Sequence, residues 1–202
     1  MYFINKYKMN SLKRLYNWTL DKANHKNAKW YLSIISFAES SFFPIPPDLL
    51  LIPMALASKT KAIFYAFICT FSSVLGGILG YAIGYFFYNT LGIYIVEFYH
   101  LENSFSVFED YYKEFGILIV LGAGITPFPY KFITIASGVF GLNIFLFIII
   151  SIIGRGLRFY LIAILLYFFG EKIKLIIDKY FNILTVVFFI LLVGSVFIIR
   201  FL

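Results

Sequence analysis

The chain has 202 residues, of which 61% are apolar and 22% aromatic, whereas only 13% are charged. A soluble domain is about half apolar and a quarter charged, so this composition excludes an ordinary soluble protein and predicts an integral membrane protein. The net charge of +7 does not indicate nucleic-acid binding, because seven of the seventeen basic residues precede the first apolar segment. Positive charge in that place is typical of a cytoplasmic segment beside anionic lipid.

The first segment, residues 1–30, is basic and contains apolar side chains at helical spacing. These apolar positions are Leu12, Leu15, Tyr16 and Leu20. Their spacing among lysines predicts an amphipathic helix that lies on the membrane surface.

The next segment, residues 31–96, is expected to be the first unit of a membrane domain. Residues 31–57 are apolar but contain four prolines: Pro44, Pro46, Pro47 and Pro53. Proline removes a backbone donor and clashes with the preceding turn, so we expect the helix to break at 44–47. Residues 62–96 are apolar and long enough to cross a bilayer, which takes about 20 apolar residues, and a long helix is predicted over 62–91. Within them Gly76, Gly80 and Gly84 form a ridge that favours close helix packing.

The following segment, residues 97–115, is acidic and has apolar residues at helical spacing, which predicts a second amphipathic surface helix as a linker. A second unit is expected at 116–169: an apolar stretch broken by Pro127 and Pro129, and then a long apolar helix. Residues 170–202 are expected to form a short amphipathic connector and a C-terminal transmembrane helix.

The order of a surface helix, a proline-broken helix and a long helix therefore occurs twice within residues 1–169. We predict an all-α, multi-pass membrane protein whose membrane domain, residues 31–169, is an inverted repeat. The distribution of lysines places the N-terminus in the cytoplasm. We expect the protein to lie in a bacterial cytoplasmic (inner) membrane. Because each unit has one re-entrant dip and one crossing, the two dips enter from opposite faces and meet near the midplane.

Five ionisable residues lie inside the apolar segments: Glu39, Asp48, Lys131, Arg155 and Arg158. An ionised side chain at the bilayer centre costs about 2.5–3.5 kcal/mol, so such groups are paired, hydrated or functional. Aligned on Pro-x-Pro, Asp48 in the first break corresponds to Lys131 in the second. Charges beside broken helices of two matching halves are typical of a transporter substrate site. A purely structural set of ion pairs is the alternative.

Three cations against two acids leave one excess positive charge, which suits an anionic group such as phosphate. Burial favours the neutral form of a carboxyl group, so Glu39 or Asp48 also allows proton coupling.

The quoted motifs resemble those of the DedA proteins, also called the SNARE-associated or VTT-domain family, and in particular its short YqaA-like branch. The resemblance covers roughly residues 30–170 and rests on Glu39 followed by FFPIPPD, on GITPFPYK and on GRGLR. It implies two facing re-entrant helices and movement of lipids, such as undecaprenyl phosphate in bacteria or phospholipids in eukaryotic relatives. Glu39 and Asp48 match the family's paired acids. Gly124 stands where many members have an arginine, and Lys131 lies one residue beyond their second arginine.

These features favour a lipid flippase or scramblase that moves a phosphate-headgroup lipid through a cavity between the two dips. A proton- or cation-coupled transporter of small solutes in the same cavity is the alternative. We expect no enzyme, cofactor or metal site, because His25 and His100 lie outside the predicted spans and no His and Cys cluster is suited to zinc. The expected partners are membrane lipids, and the sequence leaves open whether the chain forms a homo-oligomer.

Overall fold

The computed structural model describes residues 27–43, 45–100 and 102–201. The expected all-α class is confirmed, since these residues form helices and turns and contain no strand. The α-helices are α1 (Ala28–Ser41), α2 (Asp48–Ala57), α3 (Ala62–Phe87), α4 (Ile93–Phe98), α5 (Glu102–Ile125), α6 (Tyr130–Val139) and α7 (Ile144–Phe201). A 3₁₀ turn, Lys59–Lys61, precedes α3, and a π-helical turn, Tyr88–Gly92, joins α3 to α4.

The helices follow the same order twice. In each half a helix ends before a proline-rich break, a ten-residue helix follows the break, and a long helix comes next. The first break separates α1 from α2 and contains Pro46 and Pro47, whereas the second separates α5 from α6 and contains Pro127 and Pro129. Proline cannot donate to a preceding turn but is tolerated where a helix starts, so both short helices begin directly after these residues.

Three expected boundaries differ from the structure. The boundary between residues 115 and 116 lies inside the continuous helix α5, and the connector at 170–180 lies inside the continuous helix α7. Neither helix contains proline, and one glycine costs only about 1 kcal/mol relative to alanine, which packing overcomes. The long helix predicted over residues 62–91 is α-helical only to Phe87 and then changes to a π-helical turn. Of the surface helix predicted at 1–30, residues 1–26 lie outside the described residues, and the last three residues belong to α1.

The two halves are interlocked. Each short helix packs against the long helix of the other half, so that α2 contacts α7 and α6 contacts α3, while α3 and α7 also contact each other. One apolar cluster includes Leu51, Cys69 and Phe159 from α2, α3 and α7. A second includes Val120 and Phe147 from α5 and α7. The part of α7 between Phe147 and Phe159 lies between the two clusters, and it contains the charged residues Arg155 and Arg158.

Glycines allow α3 to approach its neighbours closely. A Cβ atom at Gly76 would overlap the carbonyl oxygen of Phe37 in α1, and one at Gly84 would overlap the carbonyl oxygen of Ile135 in α6. At Gly80 a Cβ would overlap the hydroxyl of a threonine in α6. The predicted ridge therefore lies at the contacts of α3 with α1 and α6.

Two stretches of the described helices have the length and apolar composition needed to cross a membrane. They are Lys59–Gly92, which contains α3, and Ile144–Gly170, which is the first part of α7.

Candidate functional site

A cavity of about 40 Å³ lies where the two proline breaks meet. It is lined by Pro46 and Pro47 from the first break and by Pro127 and Pro129 from the second. Pro44 lies outside the described residues. The lining also includes all five charged residues that the sequence predicts at the site, namely Glu39, Asp48, Lys131, Arg155 and Arg158. The fold thus brings together charges from α1, α2, α6 and α7.

Arg155 forms the more deeply buried of two ion pairs at this cavity. Its Nη2 atom donates to Oε2 of Glu39 at 2.5 Å, and the two residues are only 2% and 7% exposed. The Nε atom of Arg155 donates to Oγ of Ser73 in α3 at 2.6 Å. The guanidinium carbon lies 4.9 Å from the ring centre of Tyr130 and 4.7 Å from that of Phe159. Aromatic faces attract a cation, so the arginine is held by hydrogen bonds and by two rings.

Hydrogen bonds around this pair all lead to the Glu39 carboxylate. Ser40 Oγ donates to Glu39 Oε2 at 3.1 Å, and Ser40 Oγ and Ser73 Oγ are 2.6 Å apart. Because a serine hydroxyl has one hydrogen, Ser40 must accept from Ser73, which itself accepts from Arg155. The backbone N–H of Tyr130 donates to Glu39 Oε1 at 3.3 Å. Both carboxylate oxygens are therefore acceptors in a network that joins α1, α3, α6 and α7.

Asp48 and Arg158 form the second ion pair, in which Arg158 Nη2 donates to Asp48 Oδ2. Nη1 of Arg158 donates to the backbone carbonyl oxygen of Thr126, just beyond the end of α5. Asp48 Oδ1 and Arg158 Nε are buried without a hydrogen-bond partner among the described residues. Asp48 is the first residue of α2, where a negative charge also stabilises the helix dipole. This pair is therefore only partly hydrogen-bonded.

Lys131 is the fifth charged residue, and the structure does not pair it with Asp48. Asp48 instead contacts Arg158, because α2 packs on α7. Within the part of the chain that the structure describes, Lys131 has no carboxylate partner, and its Nζ lies 5.3 Å from the ring centre of Phe132. With both acids paired to arginines, the excess positive charge of the site resides on Lys131.

Gly124 lies at a close crossing of α5 and α7. A Cβ atom built there would be 3.1 Å from the Cα atom of Gly154. Any side chain at this position would press on the backbone of α7 beside the buried Arg155.

Sequence reasoning missed the polar residues that hold the buried pair, which are Ser40, Ser73 and Tyr130. One signal was available: Ser33, Ser36 and Ser40 recur at intervals of three and four in apolar sequence, so they share one face of α1. This face contacts α3. Ser33 Oγ and Ser72 Oγ are 2.7 Å apart, and Ser36 Oγ donates to the carbonyl oxygen of Cys69 at 2.7 Å.

The fold and the site define an all-helical protein of two like-ordered halves, with two ion pairs and a lysine at the cavity between their breaks. Among the described residues, no group of three His, Cys, Asp or Glu side chains is placed to hold a metal ion.

Two curated proteins are similar to most of the chain. It is 39% identical to an uncharacterized protein of Haemophilus influenzae over 159 residues, which are 78% of this chain and 82% of that protein. It is 38% identical to the "Uncharacterized protein HI0703 homolog" of Histophilus somni over 161 residues, with the same two coverages. The chain belongs to the same family as these two proteins. No protein-family profile and no solved structure matches it.

Proposed function

We propose that the chain is a multi-pass membrane protein of DedA-like architecture that moves a phosphate-headgroup lipid across the bilayer through the cavity between its two proline breaks. The observation that carries this proposal is the convergence of five charged side chains and two helix N-termini on one cavity. The lipid is of the undecaprenyl phosphate or phospholipid class, and its tails stay in the bilayer while its headgroup passes the cavity.

The outer surface supports membrane insertion. In the apolar part of Ile144–Gly170 only 28% of the residues are buried inside the protein, whereas the core helix of a soluble protein is mostly buried. Phe145 and Phe168 in α7 are 74% and 70% exposed. Soluble monomers rarely expose apolar patches larger than a few hundred Å². Lipid chains are the environment that suits this surface.

The breaks support a pair of re-entrant hairpins, α1–α2 and α5–α6. At membrane depth an irregular backbone is tolerated only where protein or a wet cavity satisfies its polar groups. Here one such group, the carbonyl oxygen of Thr126, accepts from Arg158, and the N–H of Tyr130 donates to Glu39.

Electrostatics support an anionic headgroup. The helices α2 and α6 both begin at the cavity, and a helix N-terminus carries a partial positive charge. Lys131 adds a full charge without a carboxylate partner in the described chain.

The cavity volume favours a second candidate, a proton- or cation-coupled transporter of small solutes. About 40 Å³ holds a few water molecules, whereas a phosphate group with its four oxygens needs more room. Lipid transport therefore requires the breaks to move apart. Parallel assays of lipid translocation and solute flux with the same vesicles distinguish the two functions.

The test is transport by the purified protein in vesicles that contain labelled undecaprenyl phosphate or phospholipid. The wild type is expected to accelerate headgroup movement. Reversal of one charge, Asp48→Lys or Lys131→Asp, is expected to abolish it while the protein still inserts. Lys113→Asp, a reversal on the exposed face of α5, is the matched control. Wild-type rates in both site variants contradict the site, and a wild type that moves neither lipid contradicts the function.

A further inference from the structure

The two ion pairs at the cavity differ in how completely their polar atoms are used. Both oxygens of Glu39 accept hydrogen bonds, and Arg155 is enclosed by two aromatic rings. In the other pair, Asp48 Oδ1 and Arg158 Nε are buried and have no partner among the described residues. A buried polar atom without a hydrogen bond costs about 1–3 kcal/mol, so the second pair is the one that gains from a new partner.

Arg158 is placed to recognise a phosphate group. A guanidinium fork binds carboxylate and phosphate oxygens in the same way, through paired N–H donors. Its Nη2 already holds the carboxylate of Asp48, and its Nε has no acceptor in the described residues. Lys131 lines the same cavity and contacts no carboxylate there. Arg158 and Lys131 therefore both line the cavity, and of these two cations only Arg158 is already bound by a carboxylate of the chain, that of Asp48.

Arg158 also joins the two breaks. It donates to Asp48 at the start of α2, which follows the first break, and to the carbonyl oxygen of Thr126 beside the second. Loss of the contact with Asp48 removes this link, while the hydrogen bonds of Glu39 with Tyr130 and Arg155 remain. The ion pair of Asp48 is therefore the contact across the breaks that a competing anion can replace.

We propose that Asp48 is a built-in competitor for the ligand: its carboxylate occupies Arg158, and a phosphate group binds Arg158 and Lys131 only by displacing it. The inference rests on the proposed function for the class of ligand. It adds that the ion pair closes the site and that the ligand itself opens it. The recognised chemistry is the phosphate group, which a lipid headgroup and free phosphate share.

Phosphate binding to the purified full-length protein in detergent tests this proposal. The probes are inorganic phosphate and dihexanoyl phosphatidic acid, measured by titration calorimetry. Asp48→Asn is expected to lower the Kd by about tenfold or more, because the ligand no longer displaces a charge-assisted hydrogen bond. The gain is expected to disappear in Asp48→Asn/Arg158→Gln and to shrink in Asp48→Asn/Lys131→Gln. A gain for phosphatidic acid alone identifies the lipid headgroup as the ligand, and a gain for both shows that phosphate is sufficient.

The matched control removes one negative charge elsewhere. Glu109→Gln changes a partly exposed acid in α5, outside the cavity lining, and is not expected to tighten binding. If Asp48→Asn does not fold, as judged by gel filtration and thermal unfolding, Asp48→Ser also removes the carboxylate and suits the start of a helix.

An unchanged or weaker affinity for phosphate in the folded Asp48 variant contradicts the proposal that Asp48 competes with the ligand. So does an equal gain in Glu109→Gln, which would reflect net charge alone. This failure is distinct from failure of the proposed function. If the wild type moves lipid while the Asp48 variant binds phosphate no tighter, only the proposed competition by Asp48 is contradicted. If the variant binds tighter but the wild type moves no lipid, only the proposed transport function is contradicted.

Discussion

Ser73 and Arg155 occupy the same place in two matching helices and are hydrogen-bonded to each other. Each is the twelfth residue of its helix, counted from Ala62 in α3 and Ile144 in α7, and the Nε–Oγ distance is 2.6 Å. The inverted repeat that the sequence predicts would place two such counterparts beside its two-fold axis. Two facing arginines at that position would repel each other, whereas an arginine and a serine form a hydrogen bond.

This buried arginine is expected to be essential for stability. Arg155→Gln leaves Glu39 buried without its cation, and loss of one partner of a buried pair costs about 3–5 kcal/mol of unfolding free energy. Arg155→Lys is expected to restore little, because an ammonium group does not reproduce the planar fork that reaches Ser73 and Glu39. Thermal unfolding in detergent measures both variants.

The control for this experiment is Lys113→Gln. Lys113 is an exposed residue of α5 whose pKa is raised by its hydrogen bond to Glu109, at 2.7 Å. Exposed ion pairs contribute little to stability, so the unfolding midpoint of this variant is expected to match the wild type. A loss in Arg155→Gln no larger than in the control would show that the buried pair does not hold the helices together.

The serine hydroxyls are expected to act as one network. Ser73→Ala removes the acceptor of Arg155 Nε, at a cost of about 1–3 kcal/mol for a buried unpaired donor. Ser40→Ala removes the acceptor of the Ser73 hydroxyl, so the two changes share a hydrogen bond and their effects should not add. Unfolding of the single and double variants gives the coupling, with Ser33→Ala as a partly buried control. Strict additivity would argue against the inferred chain of donors.

The sequence reveals the fold class and the breaks more readily than it reveals the pairing of charges. Prolines act locally, through a missing donor and a steric clash, so helices that end before Pro46 and Pro127 follow from the residues themselves. The partner of Asp48 depends on which helices cross. Alignment of the two proline motifs relates Asp48 to Lys131, whereas the packing of α2 on α7 brings it to Arg158.

Within α5 and α7 the sequence predicts boundaries that the helices do not have. Composition changes sharply at residue 116 and again at 170, but a change of polarity does not break a helix in the absence of proline. The polarity change marks a change of environment along one helix, and only the backbone shows that the helix continues.

Close packing of α3 is expected to be sensitive to a single methyl group at Gly80. A Cβ there meets the Thr134 side chain and lies 3.1 Å from the carbonyl oxygen of Ser40. Overpacking of this kind costs about 1–3 kcal/mol, so Gly80→Ala should lower the unfolding midpoint. Gly122→Ala is the matched control, because a Cβ at Gly122 in α5 meets no atom within 4 Å and alanine favours the helix. Equal midpoints in the two variants would contradict the packing.

The ion pair of Asp48 and Arg158 links the two breaks, and we expect it to be partly restored when its two charges are exchanged. Asp48→Arg and Arg158→Asp each place like charges together and should destabilise strongly, whereas the double variant re-forms an ion pair. The double variant is expected to recover about 0.5–3 kcal/mol relative to the sum of the single changes, which is the range for residues in contact. Recovery should be incomplete, because Arg158 also donates to the carbonyl oxygen of Thr126, and an arginine at position 48 approaches from a different helix. Thermal unfolding of the four proteins gives the coupling energy, and the pair Asp48→Arg/Lys131→Asp serves as the comparison. Stronger coupling of Asp48 to Lys131 than to Arg158 would mean that the lysine, rather than the arginine, is the partner that closes the cavity.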